Sequence, residues 1–233
     1  MIISIHQPNY LPWPGFFNKI ISSDIFVIFD DVQFPRGKDF VYRNRIKTQS
    51  GEKWLTLPIL DKSKMLNINQ VHLNNNINWK EEQWNSLKNN YHKAKFKNET
   101  LQIFEEVFSK DWDLLVDLNY EFIKKILAEL EIKRKIVKSS ELKINDKGEL
   151  KIIKIIKKLG GDEYISGNGE GSMRYISGNE QLFDENGIKV RFQNFKNLEY
   201  SQLFGKYIPG LSICDMLFNI GKKDTKKMIV GDN

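Results

Sequence analysis

Residues 1–34 constrain the fold of this chain more than any other stretch. Their pattern predicts a buried strand over residues 2–5, a polar loop, a short helix over residues 15–21 and a second buried strand over residues 25–29. Three prolines keep the loop extended, because proline fixes its own φ and disfavours the helical conformation in the residue before it. They are Pro8, Pro12 and Pro14. A strand, helix and strand in this order indicate the start of a parallel α/β sheet.

Polar side chains follow both predicted strands at the point where each strand ends. In parallel α/β sheets, ligands bind in the crevice outside the carboxyl ends of the strands. Residues 1–34 therefore predict a site at that edge of the sheet. Its candidate residues are His6, Gln7, Asn9, Tyr10, Asp30, Asp31 and Gln33.

His6 is the candidate catalytic base of this site. An imidazole at the end of a buried strand can take up a proton or hydrogen-bond a ligand, and a positioned general base contributes ~10²–10⁴-fold in rate. A buried histidine that only orders the loop is the alternative. The polar groups of Gln7, Asn9 and Tyr10 close by in the sequence favour a site.

Asp30 and Asp31 are the candidate catalytic carboxylates, because they end the second predicted strand. Side chains alternate along a strand, so one of the two should point into the crevice. There it could bind a sugar hydroxyl, orient His6 or hold Mg²⁺. Capping of the next turn, which Asp does well, is the alternative. The sequence has no His and Cys cluster with ligand spacing, so we expect no transition-metal site.

Arg43, Asn44 and Arg45 form a candidate anion-binding segment. The two arginines stand at alternate positions, so both can face one side of an extended segment. Two guanidinium forks in that arrangement suit the capture of a phosphate or a carboxylate. An exposed basic loop is the alternative.

A glycine-rich turn after a later predicted strand is a candidate for phosphate or sugar binding. Its first residues are Ser166, Gly167 and Asn168, and it continues to residue 172. Backbone amides in such a turn can meet an anion. The spacing matches neither the dinucleotide fingerprint nor the Walker loop, so a flexible turn is the alternative.

The rest of the chain predicts one α/β domain with an insertion. Residues 50–132 carry a predicted hairpin, with strands over residues 53–59 and 69–73, followed by amphipathic helices. Strand–helix alternation resumes after this insertion. We therefore expect a mainly parallel, Rossmann-like sheet with helices on both faces over residues 1–221. Residues 222–233 are predicted to be a loosely held basic tail.

Composition and charge limit the classes of protein that this chain can belong to. Its single cysteine, Cys214, excludes an intramolecular disulfide and favours a reducing compartment. No stretch approaches the ~18 apolar residues of a membrane-spanning helix, so we expect a soluble, cytoplasmic protein. The net charge is +6, but the lysines are scattered over amphipathic segments. That scatter favours solvated faces over nucleic-acid binding, while the excess charge could steer an anionic small substrate.

Several of these segments together resemble the WbqC-like protein family of bacteria. They are His6-Gln7-Pro8-Asn9-Tyr10-Leu11-Pro12-Trp13, Asp30-Asp31-Val32-Gln33-Phe34, Arg43-Asn44-Arg45, Ser166-Gly167 with Tyr175, and Leu211-Ser212-Ile213-Cys214-Asp215. The resemblance runs from the first predicted strand to residue 221. The family is associated with gene clusters for O-antigen of lipopolysaccharide and for other surface polysaccharides. The resemblance therefore implies chemistry on an activated, often amino-substituted sugar, and adds Tyr175 to the substrate-binding candidates.

Two classes of function follow from this resemblance. The first is an enzyme that transfers an acyl or aminoacyl group to the amine of a nucleotide-linked sugar. His6 would then be the base, and Asp30 or Asp31 its partner or a sugar ligand, with Arg43 and Arg45 as anion clamps. The second is a non-catalytic nucleotide-sugar or carbohydrate binding module that assists a glycosyltransferase. A candidate base favours the enzyme, because a binding module needs none.

The opening segment is also similar to that of nucleotidyltransferases and pantoate–β-alanine ligases. Those enzymes hold the nucleotide with a His-x-Gly-His motif. His6 has no Gly-His companion in this chain, so the similarity leaves the use of ATP and Mg²⁺ open.

Overall fold

The computed structural model describes residues 1–61 and 65–231 of the chain. Their contacts group into two compact units, each assembled from separate stretches of sequence. The first, called the sheet unit below, consists of Met1–Gln7, Asn18–Asp31 and Arg134–Lys196. The second, called the helical unit, consists of Pro8–Phe17, Val32–Lys133 and Asn197–Asn233. The assignment of residues 1–221 to one domain stays a prediction.

Strands and helices alternate through most of the described chain. The strands are β1 (Ile2–His6), β2 (Ile25–Ile28), β3 (Arg43–Thr48), β4 (Gly51–Thr56), β5 (Lys135–Lys138), β6 (Glu163–Ser166) and β7 (Lys189–Phe192). The helices are α1 (Pro14–Ile21), α2 (Trp79–Asn90), α3 (Lys97–Phe108), α4 (Leu115–Glu129), α5 (Gly148–Lys158), α6 (Glu170–Met173), α7 (Glu180–Glu185) and α8 (Ile213–Val230). Within the described ranges, no helix has both the length and the apolar character needed to cross a bilayer.

The sheet unit is built on five parallel strands in the order β5-β2-β1-β6-β7, flanked by helices. This confirms the predicted α/β class with a mainly parallel sheet. The three inner strands, β2, β1 and β6, are the most buried strands of this sheet. Ile3, Phe26 and Val27 have no exposed surface, as expected for strands that are covered on both faces.

The order of the strands contains one reversal. Along the chain, β2 is added beside β1 and β5 beside β2. The chain then crosses back and adds β6 on the other side of β1, with β7 beside β6. The topological switch point therefore lies between β1 and β6, where Ser4 pairs with Ile165. In open α/β sheets the ligand crevice lies at the carboxyl ends of the strands at such a point.

The helical unit contains a hairpin whose position differs from the predicted one. Its strands are β3 and β4, paired antiparallel from Arg43–Thr56 to Thr48–Gly51. Gly51 has a φ of +112°, which favours glycine over residues with a side chain. Residues 69–73 form no hairpin strand and contribute only part of a 3-10 turn and isolated bridges to Ile59 and Leu114. The prediction was wrong because the first strand, RNRIKT, carries cations on one face and so lacks a strand-like apolar pattern.

The prediction of a loosely held tail from residue 222 was also wrong, because α8 continues to Val230. Thr225 and Ile229 have no exposed surface, so packing holds this segment in place. The helix bends at Gly221, whose φ is +74° and where a Cβ atom would lie 2.8 Å from the Phe96 ring. Residues 232 and 233 of the predicted tail lie outside the described residues, as do residues 62–64 of the predicted insertion.

Candidate functional site

The carboxyl edge of the parallel sheet collects the polar residues that were predicted at the ends of its strands. His6 ends β1, Asp30 and Asp31 follow β2, and Ser166 ends β6. Continuing the register of β1 and β6 beyond Ser4 and Ile165 places His6 opposite Gly167. His6 and the glycine-rich turn therefore flank the switch point, where the fold places its ligand crevice.

His6 is partly buried, and its hydrogen bond fixes the ring tautomer. Nδ1 lies 2.9 Å from the carbonyl oxygen of Gln7, which can only accept. In the neutral ring Nδ1 therefore carries the proton and Nε2 the lone pair. Desolvation, together with the positive charge of Lys19, lowers the pKa of His6 to about 3. The imidazole is thus neutral at physiological pH, with the lone pair on Nε2.

The lowered pKa of His6 predicts that the fold is sensitive to acid. The pKa is about 3 in the folded protein against a reference value of 6.5 for the unfolded chain. As the pH falls, the unfolded state therefore binds the proton before the folded state does. The contribution of His6 to the free energy of unfolding is fully present above pH 6.5 and is lost as the pH falls toward 3. At ~1.4 kcal/mol per pKa unit, the loss reaches about 5 kcal/mol.

Urea unfolding of the wild type and of His6→Asn across this pH range checks the acid sensitivity. The free energy of unfolding of the wild type should fall relative to that of the variant as the pH is lowered, because the variant has no imidazole to protonate. A difference between the two proteins that is independent of pH would show that His6 titrates normally in the fold.

Lys19, on α1, is a candidate residue that the sequence analysis missed. Its side chain has no exposed surface, and Nζ donates a hydrogen bond to the carbonyl oxygen of Ile5 at 2.9 Å. Burial lowers the pKa of Lys19 to about 7. A lysine in this range can move protons near neutral pH. A signal was present in the sequence, since Lys19 stands between the apolar pairs Phe16-Phe17 and Ile20-Ile21.

Asp30 is buried, and its carboxylate accepts hydrogen bonds within the sheet unit. Oδ1 accepts hydrogen bonds from the Ser140 backbone amide and from Ser139 Oγ, both at 3.0 Å, and Oδ2 accepts one from Ser140 Oγ at 2.7 Å. Ser139 and Ser140 form the turn directly after β5. These bonds cap that turn and hold the ends of β2 and β5 together. A catalytic role for Asp30 stays a prediction.

Asp31 joins the same cluster through an ion pair with a buried lysine. Its Oδ2 lies 2.7 Å from Nζ of Lys151 on α5, and Oδ1 accepts a hydrogen bond from Ser139 Oγ. Lys151 also donates to the carbonyl oxygen of Ile144 at 3.1 Å. The pair fixes α5 against the carboxyl edge, and a direct role of Asp31 in chemistry stays a prediction.

The glycine-rich turn is tightly packed at its second residue. A Cβ atom on Gly167 would lie 2.8 Å from Ser172 Oγ, so any side chain there would displace its neighbour. Ser166 is fully buried, whereas Asn168 is exposed. Tyr175 follows the turn and packs edge to face on Phe29, the residue before Asp30, with ring centroids 6.5 Å apart.

Gln7 also belongs to the sheet unit, and the remaining predicted residues lie in the helical unit, so the candidate set is divided between the two units. Tyr10 has no exposed surface, and its hydroxyl donates to Gln83 Oε1. Asn44 Nδ2 donates to the carbonyl oxygens of Tyr10 and Leu11, at 3.2 and 2.7 Å. Asn9 is buried as well. The side chains of Tyr10 and Asn44 thus hold the proline-rich loop, and their role in substrate binding stays a prediction.

Gln33 and the two arginines are the more accessible members of the helical-unit group. Gln33 is exposed and forms a single β-bridge to Asn67. Arg43 and Arg45 lie on the same face of β3, as their alternate spacing predicts, and both approach Trp54 on β4. Their guanidinium carbons lie 3.9 and 5.6 Å from the centroid of that ring.

The fold and the carboxyl edge together define an α/β protein with a histidine at the switch point of a parallel sheet. Among the described residues, no group of three or more His, Cys, Asp or Glu side chains is placed to hold a metal ion. The family model of the WbqC-like protein family matches residues 7–227, so the chain belongs to this family. The resemblance inferred from the sequence motifs is confirmed.

Comparison with individual proteins adds one relative. The chain is 30% identical over 221 residues to an uncharacterized protein of Mycobacterium tuberculosis, in an alignment that covers 94% of each chain. No solved structure matches the chain with significance.

Proposed function

We propose that this protein is an enzyme of bacterial surface-polysaccharide (O-antigen) biosynthesis that transfers an acyl or aminoacyl group to the amine of a nucleotide-linked sugar. One observation carries the proposal: His6 ends β1 at the switch point, and its Nδ1 donates to the carbonyl oxygen of Gln7, which leaves the lone pair on Nε2. Membership in the WbqC-like family supports the substrate class, because the family is associated with gene clusters for surface polysaccharides.

The chemistry requires a group that removes one proton. When the sugar amine attacks the acyl carbon, a nitrogen–carbon bond forms, the bond from that carbon to the leaving group breaks, and the nitrogen loses a proton. His6 Nε2 accepts a hydrogen bond from the amine and directs the nitrogen lone pair at the acyl carbon. A pKa of about 3 makes His6 a weak base that does not retain the proton, so His6 relays the proton while the leaving group departs and does not remove it beforehand. His6 therefore passes the proton readily to the leaving group.

A binding module without catalysis is the second candidate function, and one observation favours it. The rings of Phe40 and Trp54 are 38% and 36% exposed and lie next to each other. Such rings are common in sites that bind sugars or nucleotides without altering them. The enzyme is favoured over the module because a binding module needs no candidate base, whereas His6 provides one at the switch point.

Mass spectrometry of reaction mixtures tests the proposal. The protein is incubated with UDP-, GDP- and dTDP-linked amino sugars, first with acyl thioesters and then with amino acids, ATP and Mg²⁺. We expect the mass of one nucleotide sugar to rise by that of the acyl or aminoacyl group, and only when a donor is present. Binding without any mass change would replace the enzyme by the binding module, and the absence of binding to the whole panel would refute both.

A further inference from the structure

The hairpin of the helical unit carries an exposed group of stacked side chains, Phe40, Arg43 and Trp54, called the hairpin platform below. The centroids of the two rings lie 5.9 Å apart at an angle of 41°. The guanidinium carbon of Arg43 lies 3.9 Å over the Trp54 ring. Large rings that remain more than a third exposed beside a stacked guanidinium can take up a planar group from outside the protein.

Positive charge is concentrated around this platform. Residues 36–56 contain six cationic and two acidic side chains, in a chain whose total formal charge is +6. Three of the cations, Arg43, Arg45 and Lys47, occupy alternate positions of β3 and so share one face of the hairpin. Arg36 and Lys38 are exposed in the loop that precedes Phe40. The ligand that complements this surface is an anion.

Two of the three cations on β3 are already satisfied within the helical unit. Lys47 Nζ donates to Gln202 Oε1 and to the carbonyl oxygens of Gly205 and Lys206. Arg45 pairs with Glu52 at 2.8 Å and donates to the carbonyl oxygen of Gly210 at 3.1 Å. These two side chains therefore stabilise the unit and have little capacity left for a ligand.

Arg43 is different. Among the described residues, no carboxylate or carbonyl oxygen accepts a hydrogen bond from its guanidinium, whose Nε, like that of Arg45, is buried without a partner. Stacking on Trp54 holds the planar fork in one orientation. A fixed, unpaired fork loses little entropy when it binds an oxyanion, and phosphate oxygens match its geometry.

We infer that the hairpin platform binds a nucleoside diphosphate, with the base stacked on the exposed rings and the phosphates held by Arg43. The exposed rings and the guanidinium of the platform, taken by themselves, indicate a planar anionic ligand. The choice of a nucleotide, the activating group of the sugar, rests on the proposed function. This assigns a ligand-binding role to Phe40 and Trp54, which the sequence analysis did not single out.

Isothermal titration calorimetry of the full chain with UDP, GDP and dTDP tests the inference, with the matching nucleoside and inorganic pyrophosphate as partial probes. The nucleoside diphosphate should bind more tightly than either part. Arg43→Gln should weaken binding of the diphosphate and of pyrophosphate about tenfold or more, because a bidentate charged contact is lost. Trp54→Leu should weaken binding of the diphosphate by a similar factor and binding of pyrophosphate by less, because base stacking is lost and the Arg43 fork is no longer held in one orientation.

The same unit offers a matched control in Lys88, whose Nζ lies 5.5 Å over the ring of Trp84. Lys88→Gln removes one positive charge from a cation–aromatic pair outside the platform and should leave all affinities unchanged. Thermal unfolding of each variant shows that the helical unit remains folded, so that a lost affinity can be assigned to the platform.

The outcomes separate this inference from the proposed function. Wild-type affinity in both Arg43→Gln and Trp54→Leu would overturn the platform and leave the proposed enzyme intact. If pyrophosphate bound as tightly as the nucleoside diphosphate, the proposed stacking of the base on the exposed rings would be refuted. Tighter binding of single-stranded RNA through the same two residues would replace the nucleotide by a nucleic acid. Failure of every nucleotide and nucleotide sugar to bind the wild type would refute both proposals.

Discussion

Replacing His6 with asparagine should lower turnover by about two to four orders of magnitude while the protein stays folded. Asparagine can still donate to the carbonyl oxygen of Gln7, which Nδ1 contacts at 2.9 Å, but it has no basic nitrogen. The rate of product formation per folded molecule, followed by mass spectrometry, measures the effect. Because the pKa of His6 is about 3, the wild-type rate should show no titration of this residue near pH 6.5.

His92 provides a matched control for this substitution. Its Nδ1 also contacts a backbone carbonyl oxygen, that of Asn89 at 2.7 Å, but at an exposed position of the helical unit. His92→Asn should leave turnover unchanged. If His6 only orders the loop, His6→Asn would instead lower the melting temperature and change the rate of the remaining folded protein little. Near-normal turnover in folded His6→Asn would remove His6 from the mechanism.

Replacing Lys151 with methionine should lower the free energy of unfolding by about 3–5 kcal/mol. Lys151 is 5% exposed, and its Nζ lies 2.7 Å from Asp31 Oδ2. Methionine preserves most of the apolar stem but leaves the partly buried Asp31 carboxylate, which is 16% exposed, without its counter-ion. Removing one partner of a buried pair costs more than the pair itself contributes. Urea unfolding at neutral pH measures the loss.

Lys154 on the same helix is the control for Lys151. Its Nζ lies at the same 2.7 Å from a carboxylate, that of Asp146, but the lysine side chain is 57% exposed. Lys154→Met should therefore cost at most about 1 kcal/mol. The double variant Asp31→Asn/Lys151→Met should recover much of the loss, since no buried charge remains. If Lys151→Met and Lys154→Met lowered the free energy of unfolding equally, burial of Lys151 would not add to the stabilisation that its pair with Asp31 provides.

Local patterns of the sequence predict the sheet unit well. The strands β1 and β2 are short apolar runs bounded by polar residues, and their burial follows from that pattern alone. Parallel pairing then places the residues that follow each strand at one edge, which is why His6, Asp30 and Ser166 could be grouped from the sequence.

Features that depend on distant residues could not be predicted in this way. β3 is recognised as a strand only once Lys47 and Arg45 are seen to bond to carbonyl oxygens more than a hundred residues later in the chain. The apolar residues around Lys19 indicate that it can be buried, but its hydrogen bond to the carbonyl oxygen of Ile5 depends on how α1 packs. Asp215 likewise accepts hydrogen bonds from Tyr91 and Tyr200, each at 2.8 Å. No local sequence pattern predicts either contact.

Nitrogen NMR of the imidazole rings tests most directly whether the sugar amine meets His6 at the switch point. The chain has only three histidines, and the signals missing from His6→Asn assign those of His6. Adding a nucleotide-linked amino sugar should shift the Nε2 resonance of His6 and leave those of His72 and His92 in place. Unchanged His6 signals at a saturating concentration of the bound sugar would contradict a substrate site at the end of β1.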